Sequence, residues 1–361
     1  MRILLLTLLF ALSGCADLSY YLHSVNGHLG VIAKSRDIDD VLHDENTSAD
    51  LRERLLLVAE IRRFAVEKLH LPDSDSYTEY ADLQREYVLK SLFASEEFST
   101  AAHQWCYPIV GCAGYRGYFD EARLQTYIDE LKASHFDIYV ANVPAYSTLG
   151  WFDDPVLNTF INWPEYRLAG LIFHELTHQR LYIDGDTTFN ESFAVAVQQA
   201  GVQKWLQHHG ELDKLAAYQR HIVNRGKVLE FIENERDKLA LLYRQDLPDD
   251  SKRATKARML DAMRQQYVEL SAEFGGSDGF AKWFEGELNN AKLVSVSTYH
   301  ALAPAFVRLL EHHGGDFNAF FEHVEEIARL EPQQRQQCLE HWHKGPPESP
   351  RPLLLDVCAA S

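Results

Sequence analysis

Basic residues are scarce in this sequence relative to acidic ones. The chain of 361 residues has 35 lysines and arginines against 53 aspartates and glutamates, which gives a formal net charge of −18. Binding to a nucleic-acid backbone requires a basic surface, so this balance argues against a nucleic-acid partner. Glycine (19) and proline (12) are too few for a collagen-like or proline-rich chain. Hydrophobic residues make up 46% of the chain, which is normal for a globular protein.

The apolar run at the N terminus is too short to span a bilayer as a mature helix. It covers Ile3–Ala11 after a positive start, which is typical of a secretory signal. The run is followed by Leu12-Ser-Gly-Cys15, which resembles a bacterial lipoprotein lipobox. This resemblance implies that residues 1–14 are removed and that Cys15 carries a lipid. Ala16, rather than an aspartate, follows the cysteine, as in lipoproteins sent to the outer membrane, where the chain would face the periplasm.

Cysteine is also rare, with five residues in the chain. Removing Cys15 leaves four, and exported proteins keep disulfides. Cys106 and Cys112 are 6 residues apart, whereas Cys338 and Cys358 are 20 apart. Proximity therefore favours the pairs 106–112 and 338–358. Four cysteines allow three pairings, and four free thiols are the alternative.

The periodicity of apolar residues predicts an α+β chain that is mostly α-helical. Residues 15–47 are interpreted as a lipid-anchored tether and N-terminal segment, and residues 48–361 as the main domain. A strand is predicted at Phe136–Val143, within a small sheet near residues 107–162. Two charged amphipathic helices joined at Leu247-Pro248-Asp249 predict a long α-helical hairpin over residues 211–273. We expect this hairpin to be a cap or a partner surface rather than part of the chemistry.

The strongest chemical motif is His174-Glu175-Leu-Thr-His178. On a helix, positions i and i+4 share a face, so both imidazoles can bind one Zn²⁺. Glu175 would then lie beside the metal and could accept a proton from the attacking water. The predicted helix, residues 164–182, is apolar nearly all round, so the histidine pair should be buried. Two hydrogen-bonded core histidines are the alternative without a metal.

A catalytic Zn²⁺ takes three protein ligands and keeps one position open. Asn190-Glu191-Ser-Phe-Ala194 begins 12 residues beyond His178, on the next predicted helix. A break at residues 184–186 lets that helix fold back, which makes Glu191 the predicted third ligand. Asp184 and Asp186 compete for this role, but their position in the break is more typical of turn formers.

The combination of H-E-x-x-H and Asn-Glu-x-Phe-Ala is similar to the gluzincin metallopeptidases, notably aminopeptidase N and thermolysin relatives. Thermolysin also has an acidic residue four positions after its glutamate ligand, where this chain has Val195. The group that orients one histidine must therefore come from elsewhere. Longer stretches look like the predicted bacterial aminopeptidase lipoprotein family: Trp105–Phe119, Val143–Pro155, Gly170–Tyr182, Phe189–Ala196, Leu288–Leu293 and Thr298–His300. This resemblance implies a gluzincin-like zinc peptidase core and aminopeptidase activity.

Two further groups are needed for that activity. A zinc peptidase needs a hydrogen-bond donor for the developing oxyanion. Tyr299, followed by His300, resembles the tyrosine donor of aminopeptidase N-like enzymes and is the first candidate. The alternatives are Tyr146, Tyr182 and Arg116. An aminopeptidase also needs a carboxylate for the ammonium group of its substrate, and three remain open for this role: Glu165, Asp153 and Asp154.

These observations predict a lipid-anchored zinc peptidase of the bacterial cell envelope, in the first instance an aminopeptidase that hydrolyses peptides. An endopeptidase acting on envelope proteins or peptidoglycan crosslinks could use the same site. The alternative from another class is a lipoprotein that binds zinc or peptides without catalysis.

Overall fold

The computed structural model describes residue 20 and residues 23–107, 111–146, 153–297, 302–344 and 358. The predictions for the signal peptide, Cys15 and Tyr299 lie outside the described residues. Within them, no helix combines the length and the apolar character needed to cross a membrane. The chain is mostly helical with a few short strands, which confirms the α+β class.

The helices follow one another through most of the chain. Their bounds are α1 (23–32), α2 (Ile38–His43), α3 (Ala49–Leu69), α4 (Glu121–Ala133), α5 (Glu165–Arg180), α6 (Thr187–His208), α7 (Leu212–Tyr243), α8 (Asp249–Glu273), α9 (Ala281–Phe284), α10 (Asn290–Ser297), α11 (Ala303–His312), α12 (Phe317–Ala328) and α13 (Pro332–Lys344). The strands are β1 (Ser35–Asp37), β2 (Glu79–Ala81), β3 (Leu89–Glu96), β4 (Trp105–Tyr107), β5 (Gly111–Ala113), β6 (Arg116–Tyr118), β7 (Phe136–Val143) and β8 (Val156–Leu157).

The strands form small sheets in the orders β1-β2-β8, β6-β3-β7 and β4-β5. In the second sheet β3 runs antiparallel to β7, with Leu89 opposite Val143 and Glu96 opposite Phe136. Strand β7 was predicted, but the range 107–162 for the sheet was wrong, because β1, β2 and β3 all precede it. Strand β3 has buried residues on both faces, so it lacks the alternation of apolar and polar residues that identifies a half-buried strand.

The main core surrounds α5, which packs against α3 and α6. Helix α6 approaches α5 closely because Gly201 has no side chain. A Cβ atom at this position would lie 2.8 Å from both Leu69 Cδ1 and Phe173 Cδ2, closer than real contacts allow. Large aromatic side chains fill the space between α6 and the C-terminal helices α11 and α12: Phe189, Phe193, Phe306, Phe320 and Phe321.

The hairpin of α7 and α8 has an apolar cluster of its own, which includes Val228, Ile232 and Leu260. Helix α10 joins this hairpin to the β3–β7 pair. Asn290 accepts a hydrogen bond from the Tyr243 hydroxyl at 2.8 Å and donates one to the Glu97 carbonyl at 2.9 Å. The Leu288–Leu293 stretch therefore has a structural role, because it fixes the hairpin to the sheet.

The N-terminal segment also contributes to the main core, through Val31 of α1 and through Ile38 and Val41 of α2. Disulfides join Cys106 to Cys112, across the β4–β5 pair, and Cys338 to Cys358.

Candidate metal centre

Helix α5 places two imidazoles side by side. The helix begins after Pro164 and is buried along most of its length, as its apolar sequence predicted. His174 and His178 are one turn apart, and their Nε2 atoms lie 3.2 Å from each other. The two rings are nearly perpendicular, at 82°. Both side chains thus present the same nitrogen to one point in space.

The chain then turns back so that α6 faces α5. Gly185 allows this turn with φ = +79°, a conformation that other residues rarely adopt. Asp186 begins α6 by accepting a hydrogen bond from the Phe189 amide at 3.0 Å. Asn190 exchanges two hydrogen bonds of 2.8 Å with the backbone N–H and C=O of Ile183. These contacts fix the turn to the first turn of α6, and Glu191 follows directly.

Glu191 completes a set of three potential metal ligands with His174 and His178, which we call the metal group. Its Oε2 lies 3.4 Å from His174 Nε2, and its Oε1 lies 3.6 Å from His178 Nε2. Ligand atoms held at 2.0–2.2 Å in a tetrahedral zinc site stand about 3.3–3.6 Å apart, so these separations fit such a site. The three ligand atoms all lie within 4.8 Å of one another, and two imidazoles with one carboxylate form a typical catalytic zinc set. The structure therefore brings together the three predicted ligands.

The two imidazoles differ in their tendency to take up a proton. Burial lowers the pKa of His178, and the neighbouring His174 lowers it further, to about 4. His178 is therefore neutral at physiological pH, as a metal ligand must be. Burial also opposes protonation of His174, but the Glu191 and Glu175 carboxylates and the Gln198 amide outweigh it and raise the pKa. The carboxylates of Glu191 and Glu175 therefore favour a positive charge beside His174.

Gln198 is a site residue that the sequence reasoning missed. Its Oε1 lies 3.2 Å from Nδ1 of His174, the ring nitrogen that faces away from Glu191. It supplies the orienting group that Val195 cannot provide. Gln198 follows Glu191 by seven residues, two helical turns, so its place on the same face of α6 could have been recognised. For His178, Nδ1 has no hydrogen-bond partner within the part of the chain that the structure describes.

Asp184 and Asp186 lie apart from the metal group. Asp184 is exposed. Asp186 caps α6 and forms an ion pair of 2.8 Å with the buried Arg335 of α13. Both are therefore turn or capping residues, as their sequence position suggested.

A cleft of about 540 Å³ opens beside the metal group, with His178, Tyr182 and Asp153 in its wall. Asp153 is exposed in this cleft, whereas Asp154 is only 3% exposed. Glu165 accepts a hydrogen bond of 2.7 Å from the Trp205 indole and precedes His174 by nine residues, about 13 Å along the helix. Of the three carboxylates left open by the sequence, Asp153 is the one in the cleft.

The alternative donors differ in their surroundings. The Tyr146 hydroxyl lies 2.5 Å from His28 Nδ1. The Arg116 guanidinium is stacked among the rings of Tyr20, Tyr118 and Tyr127. Tyr182 is 39% exposed, and its ring lies 6.0 Å from that of His178.

Tyr115 is a second residue that the sequence reasoning missed as a candidate. It lies in the short turn between β5 and β6, where part of the residue is exposed while its hydroxyl end is surrounded by protein. Desolvation raises its pKa to about 12, and the negative charges of Glu191 and Glu175 contribute to the shift. The hydroxyl therefore lies within electrostatic reach of both carboxylates. Nothing in the Trp105–Phe119 stretch singled out Tyr115, because only the fold brings its hydroxyl within electrostatic reach of Glu191 and Glu175.

Tyr77 approaches Glu175 from the interior. It is 3% exposed and has an unusual φ of +62° for a residue other than glycine. Burial raises its pKa well above the ordinary value, and the charges of Glu175 and Asp154 add to this effect. The preceding Ser76 accepts a hydrogen bond of 2.9 Å from Gln179 on α5. This contact holds the Ser76–Tyr77 segment against the helix that carries Glu175.

Comparison with known proteins gives one match. A family model described as "Putative aminopeptidase" matches residues 19–339. No curated protein and no solved structure matches the chain.

Proposed function

The chain belongs to the family described as "Putative aminopeptidase", and from this premise we propose that it is a zinc-dependent aminopeptidase of gluzincin type. The observation that carries the proposal is the approach of two imidazole nitrogens and one carboxylate to within 4.8 Å of one another. His174, His178 and Glu191 would hold the ion. When bound, zinc supplies the positive charge that polarises the scissile carbonyl and the attacking water.

Glu175 performs the proton transfers in this proposal. It lies between the two histidine ligands in the sequence of α5, and it accepts a proton from the attacking water. The same carboxyl group then delivers that proton to the departing amine. The negative charge that develops on the substrate oxygen needs a hydrogen-bond donor. Tyr115 suits this role because its hydroxyl lies within electrostatic reach of both Glu191 and Glu175. Tyr299 remains the candidate that the family resemblance suggests.

Specificity for a free amino terminus requires a carboxylate at the end of the peptide site. We assign this role to Asp153, because it is exposed in the cleft that His178 and Tyr182 also line. A substrate ammonium group in this cleft would form an ion pair with Asp153, and an acylated amine would not.

The place of action in this proposal is the bacterial envelope. A lipid on Cys15 would hold the enzyme in the membrane, and Ala16 after the cysteine favours the outer membrane, with the enzyme facing the periplasm. Mass spectrometry of the mature chain tests the lipid directly, and Cys15→Ser should release the chain from the membrane fraction.

The activity is tested by incubating the purified chain, with and without a chelator, with peptides that have free or acetylated N termini. We expect chelator-sensitive release of N-terminal residues from the free peptides only, and a loss of this preference in Asp153→Asn. Equal cleavage of acetylated peptides would indicate an endopeptidase instead. Activity that survives complete metal removal would reject the zinc mechanism.

A further inference from the structure

Helix α1 packs directly on the segments that follow β6 and β7. The hydroxyl of Tyr146, just after β7, meets His28 Nδ1 at 2.5 Å, and the two rings meet edge to face. At Gly27 the helix backbone lies so close to Phe119 that a Cβ atom would stand 2.3 Å from the ring. Phe119 in turn packs edge to face on Tyr146. The N-terminal helix is thus fixed to the body of the protein on the side where β6 and β7 end.

Tyr20 extends this contact toward the metal group. Its ring centroid lies 3.9 Å from the guanidinium carbon of Arg116, which is 8% exposed, and its edge meets the ring of Tyr118. Arg116 follows Tyr115 in the chain. Tyr20 and Glu191 both contribute to the raised pKa of Tyr115, so Tyr115 lies within electrostatic reach of each of them. Tyr20 therefore packs against the segment that carries Tyr115.

The proposed lipid cannot be far from this point. Five peptide units separate Cys15 from Tyr20, and a chain advances at most about 3.6 Å per residue, so roughly 18 Å is the limit. A folded chain of about 350 residues has a radius of gyration of about 20 Å, so opposite sides of such a body are roughly 50 Å apart. A lipid on Cys15 would therefore keep the side of the molecule that carries Tyr20 and Tyr115 turned toward the membrane.

We infer that the substrates are polypeptides attached to the same membrane surface, with their free amino end close to the lipid headgroups. The inference rests on the proposed function, because it needs both the peptidase activity and the lipid on Cys15. The short segment between the lipid and the enzyme also raises the effective concentration of any substrate attached to the same membrane. Two groups confined to one surface meet at millimolar local concentration when the connecting segments match the distance between them, and less often when the segments are longer. A freely diffusing peptide gains nothing from the anchor.

The experiment uses the full lipidated chain in phosphatidylcholine vesicles, which are zwitterionic and so minimise charge effects. One peptide is offered in two forms, free in solution and attached to the vesicles by a C-terminal lipid through spacers of increasing length. We expect kcat/KM for the attached form with a short spacer to exceed that for the free form about tenfold or more. The advantage should decline as the spacer grows.

A variant with a 30-residue Gly-Ser insertion between Leu18 and Ser19 is the matched control, because it leaves every described contact in place. We expect the insertion to move the optimum to longer spacers and to leave cleavage of the free peptide unchanged. Equal rates for free and attached peptides, or an optimum that the insertion does not move, would overturn the inference while the peptidase activity stands. Cleavage of neither form by the zinc-loaded protein would reject the proposed function and the inference with it.

Discussion

His174 Nδ1 lies 3.2 Å from Oε1 of Gln198, a residue 24 positions later on the facing helix. With Nε2 turned toward Glu191, Nδ1 carries the ring proton and donates a hydrogen bond to this amide oxygen. Such contacts fix the orientation of a metal-binding imidazole, and their loss typically weakens metal affinity 10- to 100-fold. We expect a loss of about this size for zinc in Gln198→Ala, measured by competition with a chelator. Gln199→Ala, the next residue on the same helix, should bind zinc normally, and an equal loss in both variants would contradict the assignment.

Glu191→Ala tests the third ligand. This change would leave two imidazoles and solvent for the ion, so we expect a large loss of zinc affinity. The helical circular dichroism should be kept, because a helix tolerates alanine well. Asp184→Ala is the control, since Asp184 is exposed next to the turn. Asp186→Ala should keep zinc but lose both the cap of α6 and the ion pair with the buried Arg335, so it should cost more stability than the loss of a cap alone, about 0.5–2 kcal/mol. Full zinc in Glu191→Ala with loss in Asp186→Ala would show that the site is built differently.

Glu175→Gln separates chemistry from metal binding. The amide has the shape of the carboxylate but cannot accept the proton of water, so we expect zinc to stay and kcat to fall by about 10²–10⁴. Glu165→Gln is a control on the same helix, because its side chain contacts Trp205 rather than the metal group. Turnover like that of the wild type in Glu175→Gln would reject the proposed role of this residue.

The parts of the site that could be predicted from sequence are those fixed by local geometry. Two histidines four residues apart on a helix share a face in any fold, so the His174–His178 pair needed no tertiary information. Glu191 required one additional step, the reversal of the chain at residues 184–186. Strand β7 was predicted because its eight residues are rich in aromatic and β-branched side chains.

The parts that could not be predicted depend on contacts between distant segments. Strand β3 pairs with β7 some 47 residues away and is covered on both faces, so its own sequence lacks the signature of a strand. Tyr115 has an ordinary turn sequence, and only the fold brings its hydroxyl within electrostatic reach of Glu191. The hairpin was recognised from periodicity, but its attachment through Asn290 required the fold.

Asp278, in the loop between α8 and α9, is a buried carboxylate that should make the stability of this region depend on pH. Desolvation of Asp278 is outweighed by hydrogen bonds from Ser271, the Phe280 amide and Tyr267, so its pKa is lowered. The pKa of an aspartate in an unfolded chain is about 3.9. The stabilisation is therefore complete above that pH and is lost as the pH falls through the lower folded value.

Asp278→Ala should cost about 1–3 kcal/mol in urea unfolding at pH 7, because buried donors lose their acceptor. The difference from the wild type should shrink at pH 3 and below. Asp261→Ala is the control. Its side chain is 73% exposed and pairs only with Arg264 at the surface, so the change should cost under about 1 kcal/mol. A cost for Asp278→Ala that does not change with pH would contradict this account.

Tyr115→Phe tests the donor for the developing oxyanion. The variant keeps the ring and its contact with Phe93 but removes the hydroxyl. Loss of one such donor typically lowers kcat by about 10²–10³, and zinc content should not change. Tyr139→Phe is the matched control, because Tyr139 also contacts Phe93 but does not contribute to the electrostatics of the metal group. The readout is kcat with zinc measured in parallel, since a structural defect would alter zinc or stability as well.

The same assay on Tyr182→Phe and Tyr299→Phe decides between the donors. Tyr182 lies in the cleft beside His178, whereas Tyr299 rests on the family resemblance. If Tyr115 is the donor, only Tyr115→Phe should lower kcat strongly at constant zinc content. A strong loss confined to Tyr299→Phe would instead assign the hydroxyl to the segment after α10. The raised pKa of Tyr115 would then reflect only its desolvation and the negative charges of Glu191 and Glu175, and Tyr115 would have no part in the reaction.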